Sequence, residues 1–338
     1  MSLRHLPNLW RTRLDSLPLL VLYLTDGCNS RCQTCDIWRS PRRNMSPAVL
    51  EAVTSHIEAL SLRWVLLSGG EALQHPHWGA IARTFKARGV FTMMLTNGLL
   101  VKKYAAELAE SVDELIVSLD AASPALYAQI RGVDALPLLL EGLDAVRALG
   151  LTVATRTTLQ AANYASLPDL IALGLAHDVN RLSFLTLDVS NPFAFGARTL
   201  STQAGDGRLN AAQIAHYEAL VDEVAARYAR EFAAGRIAES SAKLRGYAAY
   251  FRALIGEGSA PTPRCNAPQT TVVVEVDGSL RPCYFLPAWG KLDGRPLGSV
   301  LNEAGALALR RAVRRGERRE CAGCVCPLYK GMRQLAQL

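Results

Sequence analysis

From Leu19 to about residue 190, short apolar runs alternate with longer amphipathic stretches. The short runs are Leu19–Leu24, Trp64–Leu67, Val90–Leu95, Glu114–Leu119, Leu151–Thr158 and Arg181–Leu187. Their length and their β-branched and aromatic content predict strands. Between them, apolar residues recur at helical spacing over Pro47–Leu60, Trp78–Arg88, Lys102–Glu110, Leu136–Leu149 and Ala165–Ala176. Ser46-Pro47 supplies an N-cap followed by a proline in the first turn. Gly89, Gly150 and Gly174 fall where helices should stop. Strand–helix alternation of this kind predicts an α/β domain with a parallel sheet.

The pattern changes near residue 200. Asn191 to Gly207 reads as a loop, and Ala211 to Tyr250 as alanine-rich helix interrupted near Gly235. After Pro261 and Pro263 comes one strong strand run, Thr271–Val276, with a turn at Asp277-Gly278. The division expected is an N-terminal segment 1–18, a core 19–200, a helical connector 201–258 and a C-terminal unit 259–338.

Composition is that of an ordinary globular protein: 338 residues, half of them hydrophobic and a fifth charged. No apolar run is long enough for a transmembrane helix, and the first residues lack the apolar centre of a signal peptide. The net charge of +7 owes much to Arg310, Arg311, Arg314, Arg315, Arg318 and Arg319. That run reads either as a solvated helix face or as a surface for an anionic partner. Aromatic residues are not interleaved with it, which argues against nucleic acid.

Cysteine placement narrows the chemistry. All eight lie towards the chain's two ends, with none between Cys35 and Cys265. In a long chain without a secretory signal, metal binding is favoured over disulfides. Cys28, Cys32 and Cys35 form Cys-x-x-x-Cys-x-x-Cys directly after the first strand. Three thiolates on one loop can hold a soft-metal centre. A four-iron cluster held by three leaves one iron open, as a catalytic zinc keeps one position open. Zinc or plain buried thiols are the plainer alternatives.

The triplet resembles the radical SAM superfamily. So does Ser68-Gly69-Gly70-Glu71 at the end of the second strand, where the family's Gly-Gly-Glu binds the amino group of S-adenosylmethionine (SAM). Glycines allow close backbone approach, and a carboxylate accepts from an ammonium. Thr96-Asn97-Gly98 and Ser118-Leu119-Asp120, after the third and fourth strands, resemble family segments lining the SAM pocket. Arg156 and Asn163 fall at similar places, and Ser118 and Arg156 are the expected contacts of the SAM carboxylate or ribose. Ile130-Arg131-Gly132 looks like a structural helix–turn element, and His75-Pro76 like a turn. One departure is Thr34, where the family usually has an aromatic residue near the adenine; Trp38 is a substitute candidate.

Cys265, Gly278-x-x-x-x-Cys283 and Cys321-x-x-Cys324-x-Cys326 resemble the family's SPASM or twitch extensions, which bind auxiliary iron–sulfur clusters. Four cysteines fill one four-iron cluster. The expected ligands are Cys265, Cys283, Cys321 and Cys324, leaving Cys326 spare; Cys324 and Cys326 can exchange roles. A four-cysteine zinc site is the alternative.

The resemblance implies a partial (β/α)6 TIM-like barrel with a small C-terminal cysteine-rich extension. It implies SAM, a SAM-binding [4Fe-4S] cluster, an auxiliary [4Fe-4S] cluster and an external electron donor such as flavodoxin or ferredoxin. The expected activity is reductive cleavage of SAM to a 5′-deoxyadenosyl radical, then hydrogen abstraction from a small polar natural-product or carbohydrate-like substrate, in the cytoplasm. Epimerisation, with Cys326 returning the hydrogen, or dehydrogenation would follow. Only 18 residues precede the first strand, too few for a peptide-recognition domain. A peptide maturase and a lipid-modifying or C–C bond-forming enzyme remain alternatives, as does a non-catalytic iron–sulfur or zinc protein.

Overall fold

A computed structural model describes residues 3–189, 191–196 and 207–337. Six strands run parallel in chain order: β1 Leu19–Thr25, β2 Trp64–Gly69, β3 Phe91–Thr96, β4 Glu114–Ser118, β5 Thr152–Leu159 and β6 Arg181–Thr186. Their crossovers carry α1 Pro47–Thr54, α2 Trp78–Lys86, α3 Ala105–Ser111, α4 Pro124–Arg131, α5 Leu136–Ala148 and α6 Leu167–Ala176. Helix α4 is an element that periodicity alone did not delimit. This is the expected partial (β/α)6 arrangement, an open sheet rather than a closed barrel.

Alternation along each strand drives the layering. In β1, Leu20, Leu22 and Leu24 are buried against the helices, while Leu19, Val21 and Tyr23 face the other way. The same two-residue period repeats in β2 to β6, so one continuous apolar core fills the space between sheet and helices. Where helix α1 was expected to continue to Leu60, it stops at Thr54 and gives way to turns ending at Ser61, whose φ is 54°.

The C-terminal unit joins the same sheet. Strand β7, Thr271–Val274, pairs in parallel with β1 from Leu19↔Thr271 to Leu22↔Val274. Strands β8, Ser279–Arg281, and β9, Gly290–Lys291, then follow antiparallel. The expected hairpin around Val272–Leu280 exists, and its first strand extends the nine-stranded order β6-β5-β4-β3-β2-β1-β7-β8-β9. The opposite edge is covered by the connector. Leu182 of β6 exchanges backbone hydrogen bonds with Arg236 and Ala238, between α8 Ala229–Ala233 and α9 Ser241–Leu254. Helix α7, Ala211–Arg227, packs on α9. The boundary expected at residue 200, and residues 197–206 of the expected loop, lie outside the described residues.

The basic run is exposed at Arg311, Arg314, Arg315 and Arg319 and buried at Arg310. In the helix Ala304–Arg314, Arg310 is 2% exposed. Its guanidinium donates to the carbonyls of Pro268, Leu301 and Thr12 and to Oδ1 of Asn302. Arg314 donates to the carbonyls of Leu9, Trp10 and Arg11. These two arginines fasten the N-terminal segment to the C-terminal unit, and burial removes Arg310 from any surface for an anionic partner. No helix among the described residues is long and apolar enough to cross a membrane.

Candidate functional site

The cysteine loop leaves β1 and returns through a closed neck. Asp26 N donates to Arg43 O, and Met45 N to Leu24 O. Within the loop, Cys35 N donates to Cys32 O at 3.3 Å. Each of Cys28 and Cys35 lies in the electrostatic range of Cys32, and burial pushes all three thiols up, Cys35 to about 12. Cys28 and Cys32 are pushed up by burial in the same way. Bare thiols here are neutral at pH 7; a bound metal would deprotonate them.

The Gly-Gly-Glu turn buckles this loop to the sheet. A Cβ at Gly69 would collide with the carbonyl of Thr25, and one at Gly70 with the carbonyl of Gly27. The close approach that the glycines allow is therefore first to the chain's own Thr25–Gly27. Gly70 N donates to Thr25 O and Glu71 N to Gly27 O, both at 2.8 Å. The Glu71 carboxylate is fully buried. Its Oε1 accepts from Leu73 N at 3.1 Å and Thr96 Oγ1 at 2.8 Å, and its Oε2 from Asn97 N at 2.7 Å. Burial raises its pKa against the pull of these donors. Three of about four acceptor sites on the carboxylate are thus filled by the protein.

Asn97 carries the link on to the cysteines. Its Nδ2 donates to Asn29 Oδ1 at 2.7 Å and Ser30 Oγ at 3.1 Å, and lies 3.8 Å from Cys28 Sγ. Asp120 is a similar node: Oδ1 accepts from Thr158 N at 2.7 Å and Oδ2 from Arg131 Nη1 at 2.9 Å. Asn163 donates to the carbonyls of Asp120 and Thr158 and holds the β4 and β5 ends together. Ser118 and Arg156 sit side by side in the β4–β5 register. The Arg156 Nε is buried with no hydrogen-bond partner, as is Trp38 Nε1. His75 is a turn staple, as expected: its Nδ1 accepts from His77 N and its Nε2 meets Met45 O.

The structure also gathers the five C-terminal cysteines. Cys283 lies in the electrostatic range of Cys265, Cys321 and Cys326, and Cys324 in that of Cys326, Cys283 and Cys265. Burial pushes Cys283 up to about 12 and raises Cys321 and Cys324. Cys326 alone among the eight is exposed. Tyr247 of α9 lies within electrostatic range of both Cys326 and Arg156.

Residues 22–173 match the family model described as the radical SAM superfamily. That segment, under half of the chain, is similar to the radical SAM superfamily. That family implies a four-iron cluster and SAM as cofactors. Among curated relatives, the probable GTP 3′,8-cyclase of Thermococcus kodakarensis is 31% identical over 159 residues, which cover 45% of this chain and 51% of that protein. The chain spans about half the length of the curated relatives it matches. Among solved structures, Streptococcus suis SuiB bound to precursor peptide SuiA has a TM-score of 0.66 at 15% identity, over 90% of this chain and 70% of that one. The protein anSMEcpe with bound AdoMet has a TM-score of 0.66 at 15% identity, over 92% of this chain and 89% of that one. These two likenesses establish a shared fold.

The residues of the matched segment fit the cluster that family implies. Among the described residues, no three His, Cys, Asp or Glu side chains converge on a single metal ion. A four-iron cluster is wider and takes a thiolate at each ligated corner, which suits three thiols spread around one loop. The buried, unpartnered Arg131 Nε in the electrostatic range of Cys32 is a donor awaiting an acceptor there. Sequence patterns did not single out Arg131 or Tyr247 for the site. The available signal was a cation between Ile130 and Gly132 at a helix end, which a reading for structure alone absorbs.

Proposed function

We propose that this protein is a radical SAM enzyme acting on a small polar substrate, with Cys28, Cys32 and Cys35 holding the SAM-binding four-iron cluster. When bound, that cluster and SAM supply a 5′-deoxyadenosyl radical, which abstracts one substrate hydrogen atom. The observation that carries the reading is the cysteine loop fastened to three consecutive strand ends through Gly70, Glu71 and Asn97. A rigid mount of this kind is what a site needs to hold reacting groups in register.

The chain's own residues then divide the work. Arg156, with its free Nε, and Ser118 beside it bind the SAM carboxylate or ribose. The Gly69-Gly70 backbone receives the amino group, and Glu71, Asn97 and Asp120 orient the segments around it. Cys265, Cys283, Cys321 and Cys324 hold an auxiliary four-iron cluster. An external flavodoxin- or ferredoxin-type protein delivers electrons.

Cys326 returns the hydrogen atom. Its exposure, alone among the eight cysteines, supports this role. The S–H bond breaks as a C–H bond forms on the substrate radical. The thiyl radical left behind is restored by one electron from the donor protein and one proton from water. The outcome is epimerisation; without hydrogen return it is dehydrogenation. A second reading, a purine nucleotide as the small polar substrate, is supported by the name of the Thermococcus relative.

The test is a product screen in heavy water with wild type and Cys326→Ala, including GTP among the substrates. The proposal expects a singly deuterated epimer from wild type, lost in the variant with iron content and SAM cleavage intact. An oxidised product from wild type, or loss of iron in Cys326→Ala, would contradict the role of Cys326. Turnover of GTP to a cyclised product would favour the nucleotide reading.

A further inference from the structure

The strap that holds the cysteine loop from the α4 side brackets one ligand. Arg31 N donates to Arg131 O and Gln33 N to Ile130 O, both at 3.0 Å. Cys32 lies between these two bonds. Gly132 makes the strap possible: its φ is +69°, and a Cβ there would collide with the carbonyl of Arg31. The backbone on either side of Cys32 is therefore pinned to the residue pair that ends α4.

The side chain of Arg131 enters the same place. It is 11% exposed, and its ion pair with Asp120 has both partners nearly buried. Asp120 is itself fixed by Thr158 N, so the guanidinium is held in one position. One nitrogen of that guanidinium, Nε, is buried and has no partner. An unmade hydrogen bond on a buried donor is costly. Tyr127 OH, one turn back on α4, is buried against the same guanidinium. The one orphaned Nε beside the Cys32 corner fits an acceptor that the bound cluster would supply.

The charge matters as well. A guanidinium stays charged at any working pH, and the Asp120 ion pair fixes this one in place. Hydrogen bonds to sulfur and local net charge set the potential of an iron–sulfur cluster. A fixed cation favours the reduced form, which carries one more negative charge.

We propose that Arg131 is a positioning residue for the cluster on Cys28, Cys32 and Cys35: anchored by Asp120, its buried Nε–H would donate to sulfur at the Cys32 corner once the cluster is bound, and so hold the cluster's reduction potential up. This rests on the cluster reading above. Its effect is to bring that cluster within reach of a biological electron donor.

The test is a redox titration of the anaerobically reconstituted full chain, followed by electron paramagnetic resonance of the signal that SAM perturbs. Wild type is compared with Arg131→Met and Arg131→Lys. The Met variant should lose at least tenfold in the ratio of reduced to oxidised cluster at the wild-type midpoint, about 59 mV for one electron. The Lys variant, which keeps the charge, should lose clearly less. If Arg131→Met fails to load iron, the Lys variant carries the test: loading with a midpoint near wild type supports the proposal. Wild-type midpoints in Arg131→Met, or a Lys variant as impaired as Met, would overturn it. A wild-type protein with no SAM-sensitive signal would instead overturn the cluster reading itself, and this inference with it.

Discussion

The backbone N–H of Asn97 donates to Oε2 of Glu71 at 2.7 Å, while the Asn97 side chain reaches Asn29 and Ser30 beside Cys28. The end of β2, the end of β3 and the cysteine loop thus form one hydrogen-bonded unit. Glu71→Gln keeps the shape but turns one acceptor into a donor facing N–H or O–H groups. We expect a loss of ~1–3 kcal/mol in apoprotein stability, the cost of a buried unmet donor, and lower iron loading. Denaturant unfolding and iron analysis measure both. Unchanged stability would show that the carboxylate is not a structural node.

Gly132→Ala should be far worse than Gly89→Ala. Both glycines have φ near +70°, but a Cβ at Gly89 meets open space, whereas at Gly132 it meets the Arg31 carbonyl. The backbone penalty alone is roughly 1–2 kcal/mol. Gly89→Ala should lose about that much and keep its iron. Gly132→Ala should lose more and load iron poorly. Equal effects would mean that the α4 strap is slack.

The N-terminal segment should come free when Arg310 is lost. Arg310→Ala removes the donors that hold the Thr12, Leu301 and Pro268 carbonyls. We expect a loss of ~3 kcal/mol, the upper part of the usual range for one substitution, and early proteolytic cleavage before Leu19. An N-terminal segment as resistant as in wild type would contradict the clamp.

The metal-free protein should weaken at alkaline pH. Burial lifts Cys35 and Cys283 from 9.0 to about 12. In the unfolded chain these thiols ionise near pH 9, while the folded protein keeps their protons. Above pH 9 the unfolded state binds fewer protons, so stability falls as pH rises from 9 towards 12. Each group contributes up to about 1.4 kcal/mol per pH unit. Urea midpoints of apoprotein at pH 8 and pH 10 test this, with Cys35→Ala showing the shallower fall. A flat wild-type profile would refute it.

Much of this was legible in the sequence. All six parallel strands begin and end within two residues of the apolar runs that predicted them, because each run is bounded by a glycine, a polar strand end or a helix signal. The hairpin at Asp277-Gly278 was legible for the same reason. Its docking onto β1 was not, since pairing between Leu19 and Thr271 joins residues far apart in sequence and no local pattern encodes it. The burial of Arg310 was not legible, because helical spacing shows which residues share a face, not that the N-terminal segment lies across part of it. Glu71 and Asp120 were visible as site residues; that their oxygens are occupied by Thr96, Asn97, Thr158 and Arg131 depends on strand ends meeting in space.

The central claim is that Cys28, Cys32 and Cys35 support SAM cleavage. Its most direct test is 5′-deoxyadenosine formation by anaerobically reconstituted protein with SAM and dithionite, compared with the variant in which all three cysteines are alanine. The account predicts steady 5′-deoxyadenosine from wild type, slow even without substrate, and none above background from the variant. Equal amounts from the two proteins would contradict it.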